Sequence, residues 1–453
     1  MNAIDTIAAI ATPIGSAGIG IIRISGPDAL TTAARVFSAD PAGLPSHTAT
    51  YGALIRRDIA EEIDRVVLTV FRSPRSYTGE DVAEFSCHGG MATMKAALQA
   101  VLDAGARLAE PGEFTQRAFL NGKLDLAQAE AVNDLIRSRT DAARKVALRQ
   151  LDGALSEKIR TLRDQGLGVI AAIEAAIDFP DNVPEPDTAE LKERITRAYE
   201  NLLVLLKTFE KGRIYREGLR VAIVGRVNVG KSSLLNALLR HARAIVTPIP
   251  GTTRDLIEES LEIHGIPIVA IDTAGLRQTD DPVEKIGVAL THKSIDDADV
   301  IVFVVDASQK SLHDDDRRLF DMLAEKPFIC ALNKSDMVSV SELEALAQTL
   351  PYEAIRVSAK YGDGIEELEA AIARRAGVSG EESSLVSSAR HKEALKSASE
   401  SLRHALEGLD ATEPIDLISI DLTAAYDSLG LITGETASDD LLDRIFSEFC
   451  IGK

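Results

Sequence analysis

The chain of 453 residues has no tryptophan, only three cysteines and no long apolar run. Without a stretch of about 18 apolar residues, no helix is expected to cross a membrane. Met1-Asn2-Ala3-Ile4-Asp5-Thr6-Ile7 places no basic region ahead of an apolar core, so no secretory signal is expected. Cys87, Cys330 and Cys450 lie far apart and form no metal-binding spacing, which fits a reducing cytoplasm. Positive charge is also scarce. With 50 Lys and Arg against 70 Asp and Glu, the formal net charge of −20 argues against a broad nucleic-acid footprint. Any RNA contact must then be local, or arranged by a basic partner. No internal repeat or low-complexity run interrupts the chain. What remains, 45% hydrophobic and 26% charged, is the composition of a soluble globular protein, with length for about two to four domains.

Residues 1 to 118 alternate between short apolar strands and helices. Thr6–Ala11, Gly18–Ile24, Val66–Phe71 and Asp81–Cys87 read as strands, and Pro27–Val36 and Met91–Ala104 as helices. This predicts an α+β unit. Two features stand out: Arg23 inside an apolar strand, where an edge strand with its head in water is the plain explanation, and the run Tyr77-Thr78-Gly79-Glu80-Asp81. His88-Gly89-Gly90 reads as a turn, since no second ligand sits at a workable spacing for a metal. From 119 to 212 the pattern is helical, with a long 3.6-residue period from Leu124 toward Ile177. Prolines at 180, 184 and 186 end that stretch, and a further helix is expected from Thr188 to Phe209. Residues 218 to 376 switch to alternating strands and helices, which implies parallel βαβ units. Residues 381 to 453 return to helical patterning. The order predicts a multidomain chain in which an α/β domain is inserted into a discontinuous helical one.

The strongest chemistry lies past the midpoint. Val221–Val224 reads as a buried strand and Ser233–Leu239 as a helix, with Gly225-Arg226-Val227-Asn228-Val229-Gly230-Lys231-Ser232 between them. This is the spacing of a phosphate-cradling loop. Glycines let several N–H groups converge on the phosphates, and the helix N-terminus adds its positive dipole end. Lys231 would neutralise the β/γ-phosphates and the Ser232 hydroxyl would bind Mg²⁺, with Ser233 next to it. Downstream, Ile268–Ile271 ends in Asp272-Thr273-Ala274-Gly275, where a carboxylate reaches Mg²⁺ through water and the Gly275 N–H reaches the γ-phosphate. Phe328–Leu332 ends in Asn333-Lys334-Ser335-Asp336. Asp336 can accept from the N1–H and exocyclic amine of guanine, a donor pair that adenine lacks. Ser358-Ala359-Lys360 follows the next strand, where the Ala359 N–H could support the base. In this order, each at a strand end, the motifs predict a guanine nucleotide site.

The segment Thr247-Pro248-Ile249-Pro250-Gly251-Thr252-Thr253 offers Thr253 as a second Mg²⁺ hydroxyl, unless it is a plain polar loop. One part is missing. The position after Gly275, often a glutamine that orients water, is Leu276, and no arginine finger is evident in cis. Glu284 is a candidate to orient the water, against the alternative of a surface carboxylate. A monovalent cation could replace the missing positive charge, with Asn228 as one ligand and Thr247 to Thr252 supplying others.

With these residues in place the chain resembles the tRNA-modification GTPase family known as MnmE or TrmE. The resemblance covers essentially the whole chain and rests on the motifs above, on Gly251-Thr252-Thr253-Arg254-Asp255 and on Asp272 to Arg277. More specific are Pro111-Gly112-Glu113-Phe114-Thr115, Leu120-Asn121-Gly122-Lys123-Leu124-Asp125-Leu126 and the terminal Phe449-Cys450-Ile451-Gly452-Lys453. It implies an N-terminal folate-binding and dimerisation domain, a helical domain in two segments and an inserted Ras-like G domain. It implies that Asn228, Thr247, Ile249 and Thr252 coordinate K⁺ as two G domains meet, that Ser232 and Thr253 bind Mg²⁺, and that Glu284 orients the water. Arg23, Glu80, Lys123 and Lys453 would contact a formyl- or methylene-tetrahydrofolate, and Cys450 would lie at the modification centre or serve only in packing. The implied function is installation of the (carboxymethyl)aminomethyl group on the tRNA wobble uridine, by a homodimer acting with a FAD-containing partner of the MnmG or GidA type. Pro248 and Pro250 depart from the family pattern and would stiffen the cation loop. An Era-like, GTP-controlled ribosome-assembly factor is the alternative, for which an RNA-binding tail built around a Gly-x-x-Gly loop would be expected after the α/β domain.

Overall fold

Strands with alternating burial and strands buried along their whole length belong to two different sheets, as expected for an antiparallel and a parallel arrangement. In the computed structural model, residues 5–184, 186–244, 258–272, 295–309, 311–323, 326, 328–350, 354–377 and 386–453 are described. They fall into two compact units. One comprises Met1–Asn133, Gln150–Ile195 and Glu400–Lys453; the other comprises Asp134–Arg149 and Thr196–Ser399.

The first unit is built on β1 (Ile7–Ile10), β2 (Ala17–Ser25), β3 (Thr48–Arg56), β4 (Glu61–Phe71), β5 (Val82–Gly89) and β6 (Arg107–Leu108). Their order is β3-β4-β5-β2-β1-β6, antiparallel except for the β1/β6 pair. Helices α1 (Ala29–Val36) and α2 (Met91–Asp103) pack on the sheet through Leu30, Ala33, Ala97 and Val101, over Ile22, Ile24, Leu68 and Phe85. The edge-strand explanation for Arg23 is thereby overturned: β2 lies between β5 and β1, with Arg23 paired to Ala9 on one side and Glu84 on the other. His88 and Gly89 are not a turn either. They close β5, and His88 Nδ1 lies 2.7 Å from Asp64 Oδ1. Strand β3 has too few β-branched residues to announce itself, and is held by its pairing with β4.

The single helical period expected from Leu124 to Ile177 is three helices: α4 (Leu126–Arg137), α5 (Asp141–Leu151) and α6 (Ala154–Asp178). Gly153, at φ 87°, makes the second break in the left-handed region that favours glycine. Helix α6 packs on Ile415–Thr433, where Gly166 leaves no room for a Cβ beneath the Tyr426 ring. The segment expected as one helix to Phe209 divides into α7 (Thr188–Leu206) and α8 (Phe209–Glu217). Between β6 and α4, helix α3 (Glu113–Leu120) meets the C-terminal helix Asp439–Ser447; Phe119, Leu126, Phe446 and Phe449 form the apolar contact.

The second unit contains β7 (Leu219–Val224), helix α9 (Lys231–His241), β8 (Arg243–Ala244), β9 (Glu258–Ile263), β10 (Ile266–Asp272), β11 (Val300–Asp306), β12 (Phe328–Asn333) and β13 (Ala354–Arg356). The order is β13-β12-β11-β7-β10-β9-β8. The first five of these run parallel, and β9 and β8 extend the sheet antiparallel. All of β11 and β12 is buried, and apolar clusters cover both faces of the sheet. The connection from β7 to α9 leaves a central strand at its carboxyl end, where open α/β sheets bind ligands.

Candidate functional site

The nucleotide site starts where β7 runs out. Gly225 passes so close to β11 that a Cβ there would stand 2.5 Å from the Val304 carbonyl oxygen. Asn228 (φ 63°) and Gly230 (φ 97°) both take left-handed conformations, which curl the loop before α9 begins at Lys231. Lys231 Nζ donates to the carbonyls of Gly225 and Arg226 at 2.8 Å each, tying the ammonium to the loop's own backbone. Ser232 and Ser233 are exposed in the first turn of α9. A hydroxyl exposed there, beside converging backbone N–H groups, fits an Mg²⁺ that is shared with phosphate oxygens. Among the described residues, no three His, Cys, Asp or Glu side chains gather as a metal site by themselves.

A cavity of about 600 Å³ opens beside this loop, bounded by Gly230, Ser233, Asn333, Lys334, Asp336, Ala359 and Lys360 among others. Its walls are cross-braced by the three motifs. Buried Asn333 donates from Nδ2 to the Val229 carbonyl (2.8 Å) and accepts at Oδ1 from the Ala359 N–H (3.1 Å). Removing this amide would orphan two backbone groups, at about 1–3 kcal/mol for a buried one. The Ala359 N–H, expected to face the base, is therefore engaged by Asn333. Asp336, which lines the cavity, accepts at Oδ1 from Ser358 Oγ at 2.6 Å. Lys334 (φ 61°) donates from Nζ to the Asn228 carbonyl (2.8 Å) and to Asp306 Oδ2 (2.6 Å).

Asp306 was not legible from the sequence, although a carboxylate closing a buried strand next to the Asn-Lys-Ser-Asp strand is the available signal. Burial alone would raise its carboxyl; hydrogen bonds from Lys334 and Ser308 outweigh that and hold it below the usual carboxylate range. Arg226 is anchored in the same way, its Nε donating to the buried Asp316 at 2.8 Å. Asp272 is the last residue of β10 and pairs in register with Ile223 of β7. Thr247, Pro248, Ile249, Pro250, Gly251, Thr252, Thr253, Thr273, Ala274, Gly275 and Glu284 lie outside the described residues.

A second constellation belongs to the first unit. Arg23 donates from Nε to Glu84 (2.7 Å) and from Nη1 to the Gly452 carbonyl (3.2 Å), and its guanidinium stands over the rings of Tyr77 (5.5 Å) and Phe114 (5.6 Å). The chain end is seated by backbone contacts: Ile451 bridges Pro111, the Gly112 N–H donates to the Cys450 carbonyl (3.4 Å), and Gly452 (φ 95°) presses on Ile10 and Ala11. Burial and the charge of Arg23 push the Lys453 ammonium below its usual value, against the opposing effect of Glu84 and Cys450. A cation held in that state gains from an anionic ligand. Glu80 accepts from Ser25 Oγ (2.7 Å), two residues from Arg23 on the same face of β2. Lys123 donates to the Pro74 carbonyl (3.1 Å), and its stem packs against Gly79. Arg23 and Lys453 thus face each other electrostatically, while Glu80 and Lys123 are held by separate partners, Ser25 and Pro74. Cys450 is exposed, which removes packing as its role.

A mixed sheet with a phosphate loop at its central strand and a cavity braced by Asn333 defines a GTP hydrolase of the phosphate-loop class. Family models described as "GTP-binding protein TrmE N-terminus" and "MnmE helical domain" match residues 6–123 and 126–450. Proteins named tRNA modification GTPase MnmE are similar along the full length: that of Acetivibrio thermocellus is 47% identical over 99% of each chain, and that of Moorella thermoacetica 48% over 99% of each. The chain belongs to the MnmE family of tRNA modification GTPases. Among solved structures, Aquifex aeolicus Era bound to GDP·AlF4⁻ is 29% identical over 34% of this chain and 56% of its own, with a TM-score of 0.28. The G domain of the T. maritima FeoB iron transporter is 28% identical over 35% of this chain and 98% of its own, with a TM-score of 0.26. Full-length similarity to MnmE proteins does not favour the Era-like alternative. No helix among the described residues is long and apolar enough to cross a membrane.

Proposed function

We propose that the chain is a K⁺-activated GTPase that, as a homodimer and with a FAD-containing partner of the MnmG or GidA type, installs the (carboxymethyl)aminomethyl group at C5 of the tRNA wobble uridine. The observation that carries this reading is the seating of the terminal Gly452-Lys453 beside Arg23, a charged constellation in the first unit that supports a second ligand site. A GTP-controlled assembly factor needs no such site. Residues 1–118 are the folate-binding and dimerisation domain, 119–212 and 381–453 the two segments of the helical domain, and 218–376 the G domain.

In the G domain, Lys231 neutralises the β/γ-phosphates, Ser232 and Thr253 hold Mg²⁺, and Asp336 reads guanine. Asn228, Thr247, Ile249 and Thr252 hold K⁺ in place of an arginine finger, and Glu284 orients the water. Support for Asn228 comes from its place in the curled loop, at φ 63° two residues ahead of Gly230. In the first unit, Arg23, Glu80, Lys123 and Lys453 bind a tetrahydrofolate derivative, which supplies the one-carbon unit, and Cys450 stands at the modification centre. FAD resides on the partner, and the net charge of −20 leaves that partner to supply most of the tRNA-binding surface in the cytoplasm.

The test is twofold. Since an arginine finger is worth roughly 10³–10⁵ in rate, GTP hydrolysis in KCl should exceed that in NaCl by a comparable order; equal rates would remove the cation from the mechanism. Nucleoside analysis of tRNA from cells lacking the protein should show loss of the wobble modification, and intact modification would overturn the proposal.

A further inference from the structure

Arg117 on α3 has a side chain only 4% exposed, so its charge must be met by nearby carboxylates. It donates to Asp5 Oδ1 (2.7 Å), to the Asp5 carbonyl (2.8 Å) and to Glu113 Oε1 (3.0 Å). Its Nη1 also lies 3.3 Å from each oxygen of Glu80. Asp5 and Glu113 are shared with a second guanidinium: Arg107 reaches Asp5 Oδ2 at 2.7 Å and the two Glu113 oxygens at 2.6 and 3.1 Å. The cluster therefore sets three carboxylates against two guanidiniums. The carboxylates outnumber the guanidiniums by one, and the contacts of Glu80 with Arg117 are the longest in the set.

The same segment seats the loop that carries Glu80. Asn121 Nδ2 donates to the Thr78 carbonyl at 2.7 Å. Gly79, at φ 78°, lies against Asn121 and Lys123, where a Cβ would approach their side chains to 3.2 and 3.3 Å. Ser25 Oγ donates to Oε2 of the Glu80 carboxylate, so Oε1, which meets Arg117 Nη1 at 3.3 Å, keeps a further lone pair to accept. Asn121, from the motif in which only Lys123 had a part in ligand binding, thus seats the Glu80 loop, and Arg117, between the two motifs, supplies its counter-charge.

We propose that Arg117 is a positioning residue of the folate site: it holds the Glu80 carboxylate aimed to accept from adjacent N–H donors of a flat heterocycle such as the pterin ring. The inference rests on the folate reading above and assigns Arg117 no contact with the ligand. A guanidinium suits this task because its planar fork reaches Asp5, Glu113 and Glu80 together from one side chain. Lysine keeps the charge but not the fork, and methionine keeps only the bulk.

The test is titration of the full-length protein with 5-formyl-tetrahydrofolate by calorimetry, for the wild type, Arg117→Met, Arg117→Lys, Glu80→Gln and the Glu80→Gln/Arg117→Met pair. Arg117→Met should weaken binding about 10–100-fold, the usual loss when a supporting partner is removed from a preorganised site. Arg117→Lys should recover part of that loss. On the Glu80→Gln background, Arg117→Met should cost little more, because two residues acting through one contact are not additive. Full additivity of the two losses, or wild-type affinity in Arg117→Met, would overturn the positioning role. If Arg117→Met fails to fold, the same cycle run with Arg117→Lys decides the question. A wild-type protein that binds no folate would instead defeat the underlying reading, a result distinct from either outcome.

Discussion

Arg23 and Gly452 stand 429 positions apart in sequence and are joined by a 3.2 Å hydrogen bond from the guanidinium to the backbone carbonyl. The bond closes the chain on itself: a residue of an interior strand of the first sheet holds the last two residues in place. Gly452 belongs to a terminal motif and Arg23 to none, yet their contact gathers charge next to Tyr77, Glu84 and Lys453.

The first prediction concerns this seat. Gly452 is at φ 95°, and a Cβ would stand 3.0 Å from the Ala11 Cα and 3.1 Å from the Ile10 carbonyl carbon. Gly452→Ala therefore meets backbone on both counts, with about 1–2 kcal/mol from the left-handed conformation alone. Binding of 5-formyl-tetrahydrofolate, followed by calorimetry, should weaken at least about tenfold. Unchanged affinity would show that the seated tail is not part of the ligand site.

The second concerns guanine reading. Asp336→Asn replaces an acceptor with a donor opposite the N1–H and amine of guanine. GTP affinity should fall by roughly 1–3 kcal/mol, or about 5–150-fold, by fluorescent-nucleotide titration. Xanthosine triphosphate, which presents a carbonyl where guanine has the amine, should gain relative to GTP. Retained preference for GTP would place base recognition elsewhere.

The third concerns Asp306. Its carboxylate takes a 2.6 Å hydrogen bond from Lys334, which in turn pins the Asn228 carbonyl at 2.8 Å. Asp306→Ala should release Lys334 and loosen the phosphate loop, weakening GDP binding by about 1–3 kcal/mol. A wild-type dissociation constant would mean that Lys334 holds the loop unaided.

The fourth is a pH dependence. The Asp5 carboxyl is held low chiefly by its hydrogen bond from Arg107, and Glu113 is held low because Arg107, the Glu110 N–H and Arg117 outweigh the opposing effect of burial. Carboxyls depressed in the folded state contribute stability that is fully present above their unfolded values, about 3.9–4.3, and lost as pH falls through the folded ones. Melting of the protein should therefore change little between pH 7 and 5 and drop steeply below about pH 4. A drop already complete at pH 6 would assign acid sensitivity to other groups.

The fifth follows from Leu276, which cannot orient water. Glu284→Ala should bind GTP as the wild type does and lose turnover by about 10²–10⁴, the range for a positioned catalytic group. Undiminished single-turnover hydrolysis in KCl would move the water-orienting role to another residue.

The sequence alone determined those parts of the protein that neighbouring residues build together. A phosphate loop needs its glycines, lysine and serine within eight positions, and guanine reading needs Asp336 a few residues beyond a buried strand. The apolar strands β7 and β12 and amphipathic α4 and α6 likewise declare themselves by composition and period. Period did not show where α4, α5 and α6 part, because a turn such as that at Gly153 preserves the apolar face on either side.

Tertiary structure decided the partners. Arg23 looked like an edge-strand residue because its sequence shows an apolar run but not which strands lie beside it; the sheet order places β2 inside. Glu80 and Arg117 are separated by 37 residues, and Asp306 and Lys334 by 28. No local spacing encodes such pairs. A buried charge is tolerated only where the fold brings an opposite charge to it, so the identity of that partner is a property of the assembled chain and not of the segment in which either residue lies.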